Sequence, residues 1–160
     1  LEEKILAHIV SIWRESTKFL TVGGREGMLV LTDKRLAFIH KTEAKMRWWG
    51  AVVARQGVLL HRKNDIMIQH DGYTEKEFAE DVINEKNVSL AFGEIQKIES
   101  REEVWGSVLY LEYTKGGKRE KYRFSVAQDW VKYPMKEPTK FMKVDWEPLV
   151  RFVKERQVTR

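Results

Sequence analysis

The chain contains no cysteine, which removes disulfides, thiolate metal sites and cysteine nucleophiles together and accords with a cytoplasmic setting. No uninterrupted apolar run approaches the roughly 20 residues that a membrane-spanning helix requires. The first residues, LEEKILAHIVSIW, carry acids where a secretory signal would carry positive charge, and no small-residue cleavage site follows. Metal and catalytic spacings are missing too. His8, His40, His61 and His70 are scattered with no His-x-x-His or His-Glu-x-x-His pattern. Gly23, Gly24 and Gly27 lack the Gly-Lys-Ser/Thr of a phosphate-binding loop. No serine sits on a recognisable nucleophile elbow. The paired acids Glu102-Glu103 and the dipeptide His70-Asp71 fit exposed turns. No enzyme, cofactor or metal site is expected.

What remains is the composition of a folded domain. Hydrophobic residues make up 42% and charged residues 33% of 160, enough apolar material for one domain with a substantial core. The net charge of +5 permits attraction to anionic partners without requiring it.

Periodicity divides the chain. At 2–15, Leu6, Ile9, Val10 and Trp13 recur at helical spacing, which predicts an amphipathic N-terminal helix. Residues 18–22 read as a short strand, 23–27 as a glycine-rich loop, and 28–31 and 35–39 as two strands joined by a tight turn at Thr32-Asp33-Lys34. Residues 45–60 then mix aromatic, aliphatic and basic side chains, with Met46, Trp49 and Val53 on one helical face. A second helix is predicted at 74–86, with Thr74 as N-cap, Glu77 closing a capping box, and Phe78 and Val82 on the buried side. These two parts differ in charge. Residues 41–64 hold six basic side chains against one acid, while 65–87 hold seven acids against two basic side chains, so the halves should attract each other. Strand signals return at 88–92, 95–99, 108–113 and 120–126, with Lys115-Gly116-Gly117-Lys118 as a hairpin turn. A basic stretch with two prolines, VKYPMKEPTKFMK, reads as a loop. Asp145 then caps a last helix whose inward stripe is Trp146, Leu149, Val150 and Val153, with Pro148 in its first turn.

The segment GMLVLTDKRLAFI at 27–39 resembles the G-x-L-x-L-T-[ND]-x-R-L-x-F signature of GRAM-like and prokaryotic pleckstrin-homology-like domains. VSLAFGEIQKIE at 88–99 is similar to a second segment of that family. The resemblance implies a mainly β (α+β) fold: a seven-stranded antiparallel barrel capped by a C-terminal helix. The whole of 1–160 would then be one domain, with the barrel at 17–41 and 88–155, a helical insertion at 42–87 between strands 3 and 4, and the N-terminal helix as an addition. Family members that bind phosphoinositides place a Lys near the end of strand 1 and a basic residue early on strand 2. Here the loop offers only Arg25 beside Glu26, and strand 2 is Met-Leu-Val-Leu.

Two surfaces are candidates for binding. Trp48 and Trp49 lie beside Lys45 and Arg47, with Arg55 further along, a mixture that suits a protein interface, an anionic membrane interface or stacking on bases. Against this stands packing of a tryptophan between insertion and barrel. The second candidate is Lys118, Arg119, Lys121, Arg123 and Lys132, within a stretch at 115–143 that carries a net +6. It suits a polyanion, or equally a solvated strand edge kept from aggregating by its charges. The expectation is a non-catalytic module binding a protein partner or a second copy of itself. Peripheral binding to anionic lipid through the aromatic-basic patch is the first alternative, and nucleic acid through the basic stretch the second.

Overall fold

The computed structural model describes residues 3–17, 24–63, 65–128 and 141–158. The strand expected at 18–22, the side chain of Met46, and Lys132 fall outside the described residues. In chain order the elements are β1 (Ile5–Ser16), β2 (Gly24–Thr32), β3 (Arg35–His40), α1 (Glu43–Lys63), α2 (Glu75–Ile83), β4 (Val88–Ala91), a short 3-10 turn (Phe92–Glu94), β5 (Ile95–Glu103), β6 (Gly106–Lys115), β7 (Lys118–Val126) and α3 (Glu147–Val158). The strands form one antiparallel sheet in the order β4-β3-β2-β1-β7-β6-β5.

The expected N-terminal helix is a strand, and the sheet therefore begins at Ile5 rather than near residue 17. Two β-bulges explain the misleading spacing. The register of β1 on β2 shifts between Ile5 and Ala7 and again between Ile9 and Ile12, and each extra residue resets the in–out alternation. Ser11, at the second bulge, has φ +57°. Apolar side chains consequently recur every three or four residues although the backbone is extended. The predicted glycine-rich loop is likewise shorter than expected, because Gly24, Arg25, Glu26 and Gly27 already belong to β2.

The sheet does not close, so the expected barrel is corrected to an open seven-stranded sheet with β4 and β5 as its edges. α3 covers the open corner. Its Trp146, Leu149, Val150 and Val153 side pack into the interior, and Gln157 Nε2 donates to the carbonyls of Phe92 (2.8 Å) and Ile95 (2.9 Å). Asp145 Oδ1 accepts from the Glu147 N–H at the start of the helix, as its position predicts. The interior core draws on both halves of the sheet: Ile9, Leu29, Leu31 and Phe38 meet Leu109, Leu111, Phe124 and Val126.

A second apolar layer lies on the outer face of β1–β3, where Val10, Met28, Val30 and Ile39 are covered by Trp49 and Val52 of α1 and by Tyr73 and Phe78. The insertion is thus a lid on the outside of the sheet. It explains why the second strand is apolar on both faces: with one face turned to the interior and the other under α1, neither meets water. Leu60, Ile66 and Ile68 also enter the interior core. The chain after α1 runs beside the half of β1 that β7 does not reach, and the His8 N–H donates to the Ile68 carbonyl at 2.9 Å.

Candidate functional site

Of the aromatic-basic group of α1, the two tryptophans contact the sheet. Trp49 is fully buried, with its indole N–H 3.3 Å from Ser11 Oγ and the Lys41 ammonium 5.5 Å from its ring centre. Trp49 is therefore removed from the candidate surface, because a two-faced strand needs a large side chain to fill the space beneath α1. Trp48 is half-buried. It stacks on His8, meets Trp49 and Tyr73 edge-on or tilted, and donates to the Asp71 carbonyl at 2.6 Å. Gly72, at φ +98°, lies so close that a Cβ there would sit 2.5 Å from the Trp48 ring. Lys45 pairs with Asp81 at 2.9 Å, and Asp81 also accepts from the Tyr73 hydroxyl at 2.6 Å. Burial and this carboxylate push the Tyr73 hydroxyl's pKa upward. Arg55 and Asp71 face each other at 3.8 Å in solvent. The attraction expected between the oppositely charged halves of the insertion is present in these two pairs. Arg47 is exposed.

Beneath this joint the bulge in β1 is completed by a side chain. Gln56 Oε1 accepts from the Val10 N–H and Gln56 Nε2 donates to the Val10 carbonyl, each at 2.8 Å, supplying the pairing that the ladder loses there. Gln56 Oε1 also lies 3.0 Å from His70 Nε2, and His8 Nε2 accepts from the His70 N–H at 3.0 Å. These contacts set the tautomers, with the proton on Nδ1 of His8 and on Nε2 of His70. Both Nδ1 atoms are buried without a hydrogen-bond partner. Burial pulls both imidazoles down to about 4, helped by the neighbouring His70 in the case of His8 and by Arg55 in the case of His70. Sequence reading missed this cluster, since no motif links positions 8, 56 and 70.

The second predicted group lies along β7. Arg119 (3.0 Å) and Lys121 (3.7 Å) share Glu112 of β6, and Arg123 reaches Glu15 of β1 at 3.3 Å. Lys118 stands exposed at the turn, where Gly116 and Gly117 take the positive φ values that a two-residue hairpin needs. The three cations are thus tied to acids across the sheet, which reduces the field that they offer a polyanion.

Two features were not singled out from the sequence. The first is Arg14 at the end of β1, directly opposite Arg25 of β2. Its guanidinium lies over the rings of Phe38 (4.9 Å) and Tyr122 (4.5 Å), its Nε is buried without a hydrogen-bond partner, and among the described residues it makes no ion pair. Burial lowers its pKa. Reading β1 as a helix concealed this cation. The second is the β5–β6 turn. Val104 is fully exposed and Trp105 is 48% exposed, although such a two-residue turn ordinarily takes Gly, Asn or Asp. The Trp105 ring meets Phe141 at 5.3 Å, and Phe141 packs against Trp13 and Ala127. The legible signal was an apolar pair, Val104-Trp105, just before Gly106 in the connection between the runs read as strands at 95–99 and 108–113.

Among the described residues no group of three or more His, Asp or Glu converges as a metal site, and no helix is long and apolar enough to cross a membrane. No protein-family model matches the chain, and no curated protein matches it. Among solved structures the Vps36 N-terminal PH domain is similar, at 13% identity and a TM-score of 0.46, covering 99% of this chain and 83% of that one.

Proposed function

We propose that the chain is a non-catalytic interaction module of the pleckstrin-homology or GRAM-like kind, which docks a protein partner through the tip of its β5–β6 hairpin. The fold part of this reading draws on the signature at 27–39, the seven antiparallel strands and the terminal helix across the open corner. The observation that carries the functional part is the exposed Val104-Trp105 pair. A tryptophan and a branched aliphatic on a two-residue turn form a compact apolar anchor of the kind that dominates protein interfaces. Lipid binding through the aromatic-basic patch loses support, since Trp49 is buried.

A photo-crosslinking side chain placed at 105 tests the reading, with the same group at Ile83, 80% exposed on α2, as control. The expected result is a discrete protein adduct at 105 that is absent at 83 and absent when Val104 is replaced by Ser. No adduct at 105, or equal adducts at both positions, overturns it.

Arg14 favours a second reading, in which the end of the sheet near Arg14 and Arg25 takes an anionic group. A guanidinium whose Nε is buried against two aromatic rings, with no carboxylate paired to it among the described residues, is costly unless an anion completes it. Titration with inorganic phosphate and with vesicles containing anionic lipid should show binding that Arg14→Met abolishes. Equal binding by the variant refutes this reading.

A further inference from the structure

The sheet has two edges, and the chain treats them differently. Along β4 the outward backbone groups are taken by side chains: Lys115 Nζ donates to the Ser89 carbonyl at 2.6 Å, and Glu94 Oε1 accepts from the Ala91 N–H at 2.8 Å. Along β5, Gln157 takes the Ile95 carbonyl at one end and Lys143 the Glu103 carbonyl at the other. Between these contacts the strand is bare. Glu103 and Gly106 flank a two-residue turn and therefore bond to each other. Alternation then turns Glu99 and Arg101 toward β6, and Ile98, Ser100 and Glu102 away from it. Among the described residues no group pairs with the outward N–H and C=O of those three. Such an edge is a template for another strand, and this one carries neither proline nor, from Lys97 onward, a bulge to spoil it.

The side chains decide which strand fits. Ile98 enters the interior core, while Lys97 and Arg101 lie over the Tyr110 ring on the outer face, at 5.4 and 4.0 Å. On that face Lys97, Glu99, Arg101 and Glu103 alternate in sign. Glu99, Glu102 and Glu103 are balanced by Lys97, Arg101 and Lys143, so no net charge draws or repels a partner. The order of the charges is what selects. In an antiparallel pairing of β5 with a second β5, outward residues bond only to outward ones. Centred on Ser100, that pairing sets Lys97 against Glu103 and Glu99 against Arg101 on both sides of the two-fold axis. Slipping one step either way sets Glu99 against Glu99 or Arg101 against Arg101, which repel. The register centred on Ser100 also spans the whole of 97–103, with Ile98 bonded to Glu102 and Ser100 to its own copy. The ion pairs inside the strand are half-exposed and weak, so re-forming them across the axis costs little. An unrelated strand meets the same alternation as a barrier, whereas a second copy always matches it.

We infer that two copies of the chain join edge to edge through β5, antiparallel about Ser100, into one continuous sheet. The inference goes beyond the docking role of the tip, which the crosslinking at 105 tests by itself. Sedimentation of the full chain over a wide concentration range should show reversible dimerisation. As concentration rises, the amide protons of Ile98, Ser100 and Glu102 should become protected from exchange. Ser100→Pro removes only an outward N–H and should leave a folded monomer by circular dichroism. Glu99→Arg and Arg101→Glu should each weaken dimerisation by roughly tenfold, because each puts like charges opposite one another on both sides of the axis. The two together reverse the order without changing the net charge and should restore it. These exchanges lie on the outer face of the sheet, so they decide the matter even if Ser100→Pro fails to fold. A chain that stays monomeric at its highest soluble concentration overturns the inference. So does a dimer in which the three amides stay unprotected, one that forms equally well with a folded Ser100→Pro, or one that the double exchange does not restore.

Discussion

Lowering the pH from 7 to 5 should weaken the attachment of the insertion to β1 through His8 and His70. Both imidazoles are nearly inaccessible to solvent, and both have pKa values lowered from 6.5 to about 4. In the unfolded chain the same groups take up protons near their ordinary value. Between about pH 6.5 and pH 4 unfolding thus binds close to one extra proton per histidine, and stability is lost as pH falls through that window and levels off below it. With these values each histidine contributes a loss of about 2 kcal/mol between pH 7 and pH 5, or about 4 kcal/mol for the pair. Urea unfolding followed by tryptophan fluorescence at pH 7, 6 and 5 measures this directly. The comparison is His8→Gln/His70→Gln. The amide oxygen at 8 can still accept from the 70 N–H, and the amide nitrogen at 70 can still donate to Gln56. The double variant should lose most of the wild-type pH dependence in this window. If its slope equals that of the wild type, the histidines are not the titrating groups and the reasoning fails.

Three further outcomes follow from the packing. Trp49→Ala should cost about 3–5 kcal/mol in urea unfolding, whereas Trp105→Ala should change the stability of the monomer by less than about 0.5 kcal/mol, which separates the buried tryptophan from the exposed one. Gln56→Leu leaves the Val10 N–H and carbonyl at the bulge without partners and should cost about 2–4 kcal/mol, with faster amide exchange at Val10. Gly72→Ala meets the Trp48 ring and a φ of +98°, so it should destabilise by about 1–3 kcal/mol and shift the Trp48 emission as that ring is displaced.

The parts that could be read in advance are those where local chemistry is decisive. The 27–39 hairpin, both helices of the insertion, the Gly116-Gly117 turn and the inward stripe of α3 each carry a turn residue, a cap or an unbroken period. Thr74 caps α2 as read, its side chain accepting from the Glu77 N–H. β1 was misread because two bulges gave an extended strand the spacing of a helix. With that strand went Arg14, and with it the cross-strand neighbour of Arg25. Trp48 and Trp49 illustrate a different limit: adjacent side chains on one helix point in different directions, and only the position of the sheet beneath α1 decides which is buried.

By itself the sequence determined an antiparallel β-rich domain with a helical insertion and a terminal helix, because alternation, turn chemistry and capping act over a few residues. It also determined the absence of every cysteine-based chemistry. Tertiary structure alone decided that the sheet stays open beneath α3 and that the insertion lies over the outer face of β1–β3. The gathering of His8, Gln56 and His70 around one bulge was decided there as well, and so was the exposure of Val104 and Trp105 at a turn. Each of these depends on contacts between residues far apart in the chain, or on which faces a neighbouring element leaves uncovered, and no local pattern encodes either.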